Sequence, residues 1–306
     1  MHFFKNRLSH IKFDNNLLKY YILFCIAWYL SSCLFHLLAQ RPLWLDEICV
    51  FKSVETFTFK QFFTEKLVTN QIFPRLYLFL IQQVSRPFNF DLIALRFLPF
   101  VSMIVAFFIW LKIASYEFKH RLEYLTFLLS WTASSLLIYY SAELKQYSMD
   151  VLTAAIFILF LYNQQKLESE RLKKWYIPIL IFLPSMGLLS YTSFLFMIFP
   201  FYNLIHSVRR DKDKLKYLIV YGCSFLMFLF LAYFFDIRLP QADVYTQSYQ
   251  DYCLSFVSVG EFFRSLGEGL VNLFSRWLVE RPRIVKKIGI FFMAFGFIYS
   301  QVFLRL

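Results

Sequence analysis

The stretch Trp175–Ile205, WYIPILIFLPSMGLLSYTSFLFMIFPFYNLI, runs for 31 residues without a charged side chain. A bilayer core takes about 20 apolar helical residues, with about 17 as the lower limit. The run is too long for one span and short for two. If it crossed once, the basic loop Arg209–Lys216 would lie outside, against the enrichment of Lys and Arg in cytoplasmic loops. A hairpin turning near Ser190–Ser193 keeps that loop inside.

On either side, five stretches reach or approach spanning length: Tyr20–Leu38, Leu92–Leu111, Tyr124–Tyr140, Tyr217–Phe235 and Ile288–Leu304. Gln146–Tyr162 makes a shorter sixth, with Asp150 near one end. Together with the hairpin they predict an all-α polytopic membrane protein of about eight transmembrane helices, with both termini cytoplasmic. The inside segments then hold 17 Lys and Arg against 7 acidic residues, and the outside segments 15 against 13. Of the net charge of +12, +10 is therefore topological, and nucleic-acid binding has no remaining support. The N-terminal apolar run is too long for a signal core and lacks a small-residue cleavage site, so it reads as a retained first span.

Composition agrees. Hydrophobic residues make up 59% of the chain and charged residues 17%, against roughly 45–50% and 25% in a soluble domain. The 41 Phe and 20 Tyr suit a surface solvated by lipid and headgroups. Five cysteines are scattered, with no CxxC pair, which indicates neither a zinc site nor a disulfide framework. The chain reads as a single domain, 1–306, with a large first outer loop, 39–90, and a last outer loop, 236–287.

The first outer loop predicts two surface helices. Leu76–Val84 is too short to span and, if counted, would invert every later loop. Phe59, Phe62, Phe63 and Leu67 fall at i, i+3, i+4 and i+8 with polar residues opposite, the spacing of an interfacial amphipathic helix. Thr58 and Gln61 have the form of a capping box at its start.

Three outer elements carry ionisable groups. Arg41-Pro-Leu-Trp44-Leu-Asp46-Glu47 sets two adjacent carboxylates beside a headgroup-level Trp. Each raises the other's proton affinity, which suits a base near neutral pH; a solvated acidic start to a surface helix fits the spacing equally well. The turn from Tyr139 to Asp150 places Glu143, Tyr147 and Asp150 on one face if the helix has already begun, with Lys145 beside them. Ionisable groups at a membrane boundary point to function by default, although a Lys145–carboxylate pair could simply anchor the turn. The third element is Asn70-Gln-Ile-Phe-Pro74-Arg75-Leu-Tyr77 with Arg96 at the outer end of the second span, where Arg75 and Arg96 could hold a phosphate at headgroup level. Arg75 alone could equally snorkel to lipid.

Together, Trp44-Leu-Asp46-Glu47, Pro74-Arg-Leu-Tyr77, Leu95-Arg96 and Tyr140-Ser-Ala-Glu143-Leu-Lys145-Gln-Tyr147 resemble the outer-face motifs of the membrane glycosyltransferases of GT-C fold. That superfamily includes protein O-mannosyltransferases and the lipid A aminoarabinose transferase. The resemblance covers about Arg41–Leu161. It implies a glycosyltransferase that moves a sugar, with inversion, from a polyprenyl phosphate to a glycan, lipid or protein acceptor at the outer face of a bacterial inner membrane. It further implies Asp46 as the base, Glu47 as its partner and Arg96 and Lys145 as phosphate contacts. Glu143 and Tyr147 would position donor or acceptor, and Arg41, Asn70, Pro74, Arg75, Tyr77 and Asp150 would complete the binding region. No cofactor is required, and a divalent metal is possible.

A transporter or lipid flippase is the main rival. Against it stand the absence of repeated halves and only 7 Gly, since transporters commonly use broken helices at mid-membrane. An inactive membrane subunit, and a ligase taking diphosphate-linked oligosaccharide, are the others.

Overall fold

A computed structural model describes residues 15–68, 72–167 and 173–237, together with Glu261 and Arg264. Every described element is helical. Met1–Gln241 forms one unit that holds all the helices named below, and Ala242–Leu306 forms a second. The expected eighth span falls outside the described residues, as does the expected last outer loop apart from Asp236, Ile237, Glu261 and Arg264.

Helix α1 (Asn15–Leu38) is uncharged from Tyr20 onward. Phe24, Trp28 and Phe35 on its flank are exposed, while Tyr29 and Cys33 are buried against Phe107 and Leu128. The rings of Tyr29 and Phe107 lie 4.6 Å apart. Gln40, at a φ of 46°, turns the chain out of the helix. Helices α2 (Leu45–Thr56), α3 (Phe59–Thr64) and α4 (Arg75–Ser85) follow, then α5 (Leu92–Glu117), whose N-terminus is capped by the Asp91 carboxylate on the Ile93 N–H at 3.0 Å.

Helices α6 (Arg121–Thr132) and α7 (Ser135–Tyr140) occupy the stretch expected as one third span. The chain breaks at Ala133–Ser134, where the Ser134 hydroxyl accepts from the Leu137 N–H and starts a new helix. Helix α8 (Tyr147–Leu167) packs more extensively on α5 than any other helix pair described. Helices α9 (Lys173–Ser185), α10 (Ser193–Phe196) and α11 (Ile198–Arg210) occupy the charge-free run expected as a hairpin, and none of the three is among the described segments long and apolar enough to cross a membrane. The turn falls at Ser190–Thr192. Helix α12 (Leu215–Ala232) closes the series.

Three segments are long and apolar enough to cross a membrane: Leu18–Leu38, Leu92–Glu117 and Lys212–Asp236. They match three of the expected spans and give the described unit the character of a membrane protein.

The outer-loop helices depart from one expectation. α3 ends at Thr64, and the Phe62 and Leu67 side chains, expected to face lipid, are buried in a core with Val54, Phe73, Leu78 and Ile81. Phe59 is exposed but packs its ring edge on Phe79 at 5.1 Å. The apolar stripe is covered by α4 and its neighbours, since Phe62 and Leu67 share one core with Tyr77, Leu78 and Ile81. Of the expected capping box, the Gln61 half is present: its Oε1 accepts from the Thr58 N–H at 2.8 Å. At 11 residues, α4 is about 16 Å long, too short to span.

Candidate active site

Asp46 and Glu47 occupy the first turn of α2, where the helix dipole favours carboxylates. Successive residues of a helix point roughly 100° apart, and the two side chains take opposite fates. Glu47 turns inward and is fully buried. Its Oε2 accepts from Arg96 Nη2 at 2.9 Å and from the Trp44 N–H at 3.3 Å. Its Oε1 accepts from the Leu144 N–H at 2.8 Å and from Arg41 Nη2 at 3.5 Å. Two cations and two backbone amides thus offset the desolvation of one carboxylate. The same carboxylate joins α2, α5 and the turn before α8.

Asp46 turns outward, 40% exposed, and its Oδ2 accepts from Lys145 Nζ at 2.6 Å. Lys145 also lies over the Trp44 ring, 5.1 Å from its centroid, and 5.9 Å from that of Tyr147. Burial works against the Lys145 ammonium, but the Asp46 hydrogen bond and the surrounding acidic groups outweigh it and hold its pKa above the ordinary value. The main chain of Lys145 is fixed as well, its carbonyl accepting from the buried Tyr77 hydroxyl at 2.8 Å.

Glu143 does not share a helical face with Tyr147 and Asp150. The helix begins at Tyr147, and Glu143 lies in the turn before it. The turn is held by Arg41, whose guanidinium donates to the Ala142 carbonyl at 3.3 Å and the Tyr139 hydroxyl at 3.0 Å. Glu143 is nevertheless buried, and its Oε2 has no hydrogen-bond partner among the described residues. Burial raises its pKa, Glu47 adds to the rise, and Arg41 and Lys145 moderate it.

Several residues expected as ligand contacts have partners within the protein. Arg96 is fully buried, and its two Nη atoms serve Glu47 and the Arg41 carbonyl, the latter at 2.7 Å. It faces the protein interior rather than the headgroup layer. Arg75 neither snorkels nor reaches the Asp46 cluster. Its Nη1 donates to the Phe62 and Glu65 carbonyls at 3.1 and 2.8 Å, and its Nε lies 3.8 Å from Asp236. Pro74 supplies the residue before α4 and its carbonyl accepts from the Leu78 N–H. Asp150 accepts from Ser190 and, at 3.2 Å, from Thr192, tying α8 to the hairpin turn. Asn70 lies outside the described residues.

The structure therefore gathers Asp46, Glu47, Arg41, Arg96, Glu143, Lys145 and Tyr147 at one end of α5 and α8, with Tyr77 beneath them. Tyr139 and the Leu144 amide belong to the same cluster and were not singled out from the sequence. Tyr139 left a signal, since an aromatic in a turn facing an Arg-Pro motif is a natural cation–π partner, and the Arg41 guanidinium lies 4.4 Å from its centroid. A backbone amide leaves none. Among the described residues no three or more His, Cys, Asp or Glu side chains group as metal ligands. Comparisons of the chain with protein-family models, with curated proteins and with solved structures return no match.

Proposed function

We propose that the chain is an inverting membrane glycosyltransferase that takes a sugar from a polyprenyl phosphate and gives it to a glycan, lipid or protein acceptor at the outer face of a bacterial inner membrane. In this reading the polypeptide crosses about eight times, both termini are cytoplasmic, and the cluster around Asp46 lies outside. The observation that carries the proposal is the division of two adjacent carboxylates. Glu47 is consumed in a buried ion cluster, while Asp46 stays half-exposed on a single cation, Lys145.

That division suits the chemistry. The acceptor oxygen bonds to the anomeric carbon, the bond from that carbon to the phosphate oxygen breaks, and its electron pair leaves with the polyprenyl phosphate. The acceptor proton goes to Asp46. Because the leaving group departs as an anion, it needs a cation rather than an acid. Lys145 is the cation placed for this, and a donor phosphate drawing the ammonium away frees the Asp46 carboxylate to act as base. Glu47, Arg96 and Arg41 hold α2 against the turn so that Asp46 and Lys145 meet. Glu143, Tyr147 and Trp44 supply the wall against which a sugar ring can lie.

Incubating the purified protein in liposomes with labelled polyprenyl-phosphate sugars tests this. Release of the lipid phosphate that is lost in Asp46→Asn supports the reading. Release that persists in the Asp46→Asn, Glu47→Gln double variant would end it.

A further inference from the structure

A polar cavity lies at the far end of the same helices. The Tyr162 hydroxyl near the end of α8 donates to the Glu117 carboxylate at the end of α5. Tyr162 lines a cavity of about 480 Å³ between α8, α11 and the start of α12. Arg96 and Glu117 are separated by roughly 30 Å of helix at 1.5 Å per residue, about the thickness of a hydrocarbon core. The cavity therefore sits at the opposite membrane interface from the Asp46 cluster.

Its walls carry Asn203, His206, Ser207, Arg210, Asp211 and Lys214. Its floor is the buried Gln164 amide, whose Nε2 donates to the Tyr176 hydroxyl at 3.2 Å and whose Oε1 faces Asn203 at 3.5 Å. Arg210 enters no ion pair among the described residues. The one acidic wall residue, Asp211, is committed locally, its Oδ1 accepting from the Asp213 N–H at 3.0 Å. Along α11 the surface leading into the cavity changes character. Phe199 and Tyr202, both exposed, precede Asn203, His206 and Arg210 at helical spacing, so apolar surface passes into hydroxyl, amide and then guanidinium toward the helix end. That gradient has the polarity of a phospholipid, tail below and phosphate above.

We propose that this cavity binds the phosphate ester of an anionic phospholipid headgroup in the leaflet opposite the catalytic cluster. Arg210 and Lys214 take the phosphate oxygens, Ser207 and Asn203 donate to the ester carbonyls of the glycerol backbone, and the acyl chains follow Phe199 and Tyr202. Basic pockets between membrane helices are the recurrent solution for such headgroups. The assignment does not depend on the chemistry proposed for Asp46.

Native mass spectrometry of the full chain, released from detergent with added phosphatidylglycerol, tests it. Arg210→Gln and Lys214→Gln should each weaken retention about fivefold, the increment of one interfacial cation, and the double variant roughly twentyfold or more. Asp211→Asn, which preserves the local acceptor, should strengthen it. Arg209→Gln, one position away and outside the cavity lining, should leave it unchanged. Glycerol phosphate added in excess separates the sources: failure to displace the lipid assigns the site to a headgroup with its tails, and displacement assigns it to a soluble phosphoester. Wild-type retention in the double variant, or an equal loss in Arg209→Gln, would overturn the site in favour of diffuse surface charge.

Discussion

Glu47 Oε2 and Arg96 Nη2 lie 2.9 Å apart, both side chains fully buried, with 49 positions of sequence between them. Removing one member leaves the other charged in a low-dielectric site, which typically costs about 3–5 kcal/mol. Glu47→Gln and Arg96→Gln are each expected to lower the thermal midpoint in detergent and to lose activity with folded protein. The double variant should be more stable than the sum of the two losses predicts, a coupling read from the double-mutant cycle. Strict additivity would show that the pair does not hold α2 to α5.

Asp46 behaves differently. It is half-exposed with one cation for a partner, so Asp46→Asn should leave the unfolding free energy within about 0.5 kcal/mol of wild type, as for ordinary surface changes. Turnover should fall about 10²–10⁴-fold, the usual worth of a general base. Lys145→Gln should slow phosphate release and raise the donor concentration needed for half-maximal rate. Turnover in Asp46→Asn near wild type, with collapse in a correctly folded Glu47→Gln, would transfer the role to the neighbour.

Glu143 gives a pH-dependent test. Its pKa lies above the ordinary value of 4.5 because it is buried beside Glu47. The native state therefore holds this proton more tightly than the unfolded chain does. Stability from this group is full below the unfolded value and declines as pH rises from there through the raised native value. Glu143→Gln keeps the shape and removes the titration. Melting curves across pH 4–8 should diverge, with the variant gaining on wild type as pH rises. Parallel curves would show that Glu143 ionises without penalty.

Gly187 tests the hairpin independently of any activity. A Cβ there would lie 2.3 Å from the Phe194 ring, and overpacking of this kind costs about 1–3 kcal/mol. Gly187→Ala should lower the thermal midpoint, and a second change, Phe194→Leu, should recover part of the loss. No recovery would place the strain elsewhere.

Orientation is open to labelling. A Cys placed at Thr56, at the end of α2, should react with a membrane-impermeant reagent in intact cells. Reaction only after permeabilisation would put the Asp46 cluster on the cytoplasmic side.

The residues of this cluster were legible because they stand at the ends of apolar runs, where few ionisable groups occur and each has to be explained. Long apolar helices at the first, second and seventh expected spans were legible for the same reason, since uninterrupted hydrophobic length admits few other readings. What could not be read was direction. Asp46 and Glu47 are adjacent acids, and only the fold determines which one turns inward to Arg96. The start of α8 at Tyr147 rather than Glu143 depends on Arg41 holding the preceding turn, a contact about a hundred positions long. Phe62 and Leu67 show the right spacing, but spacing cannot distinguish lipid from α4 as the surface that covers it.

The bond from the Leu144 amide to Glu47 spans 97 positions, and that distance is also a delay in biosynthesis. At about 5–20 residues per second, roughly 5 to 20 seconds pass between the emergence of Glu47 and that of its last partner. Over that interval the cluster waits incomplete, with Glu47 able to reach Arg41 early and Arg96 midway. The cluster thus records the order of synthesis, and it is complete only once the turn before α8 has been made.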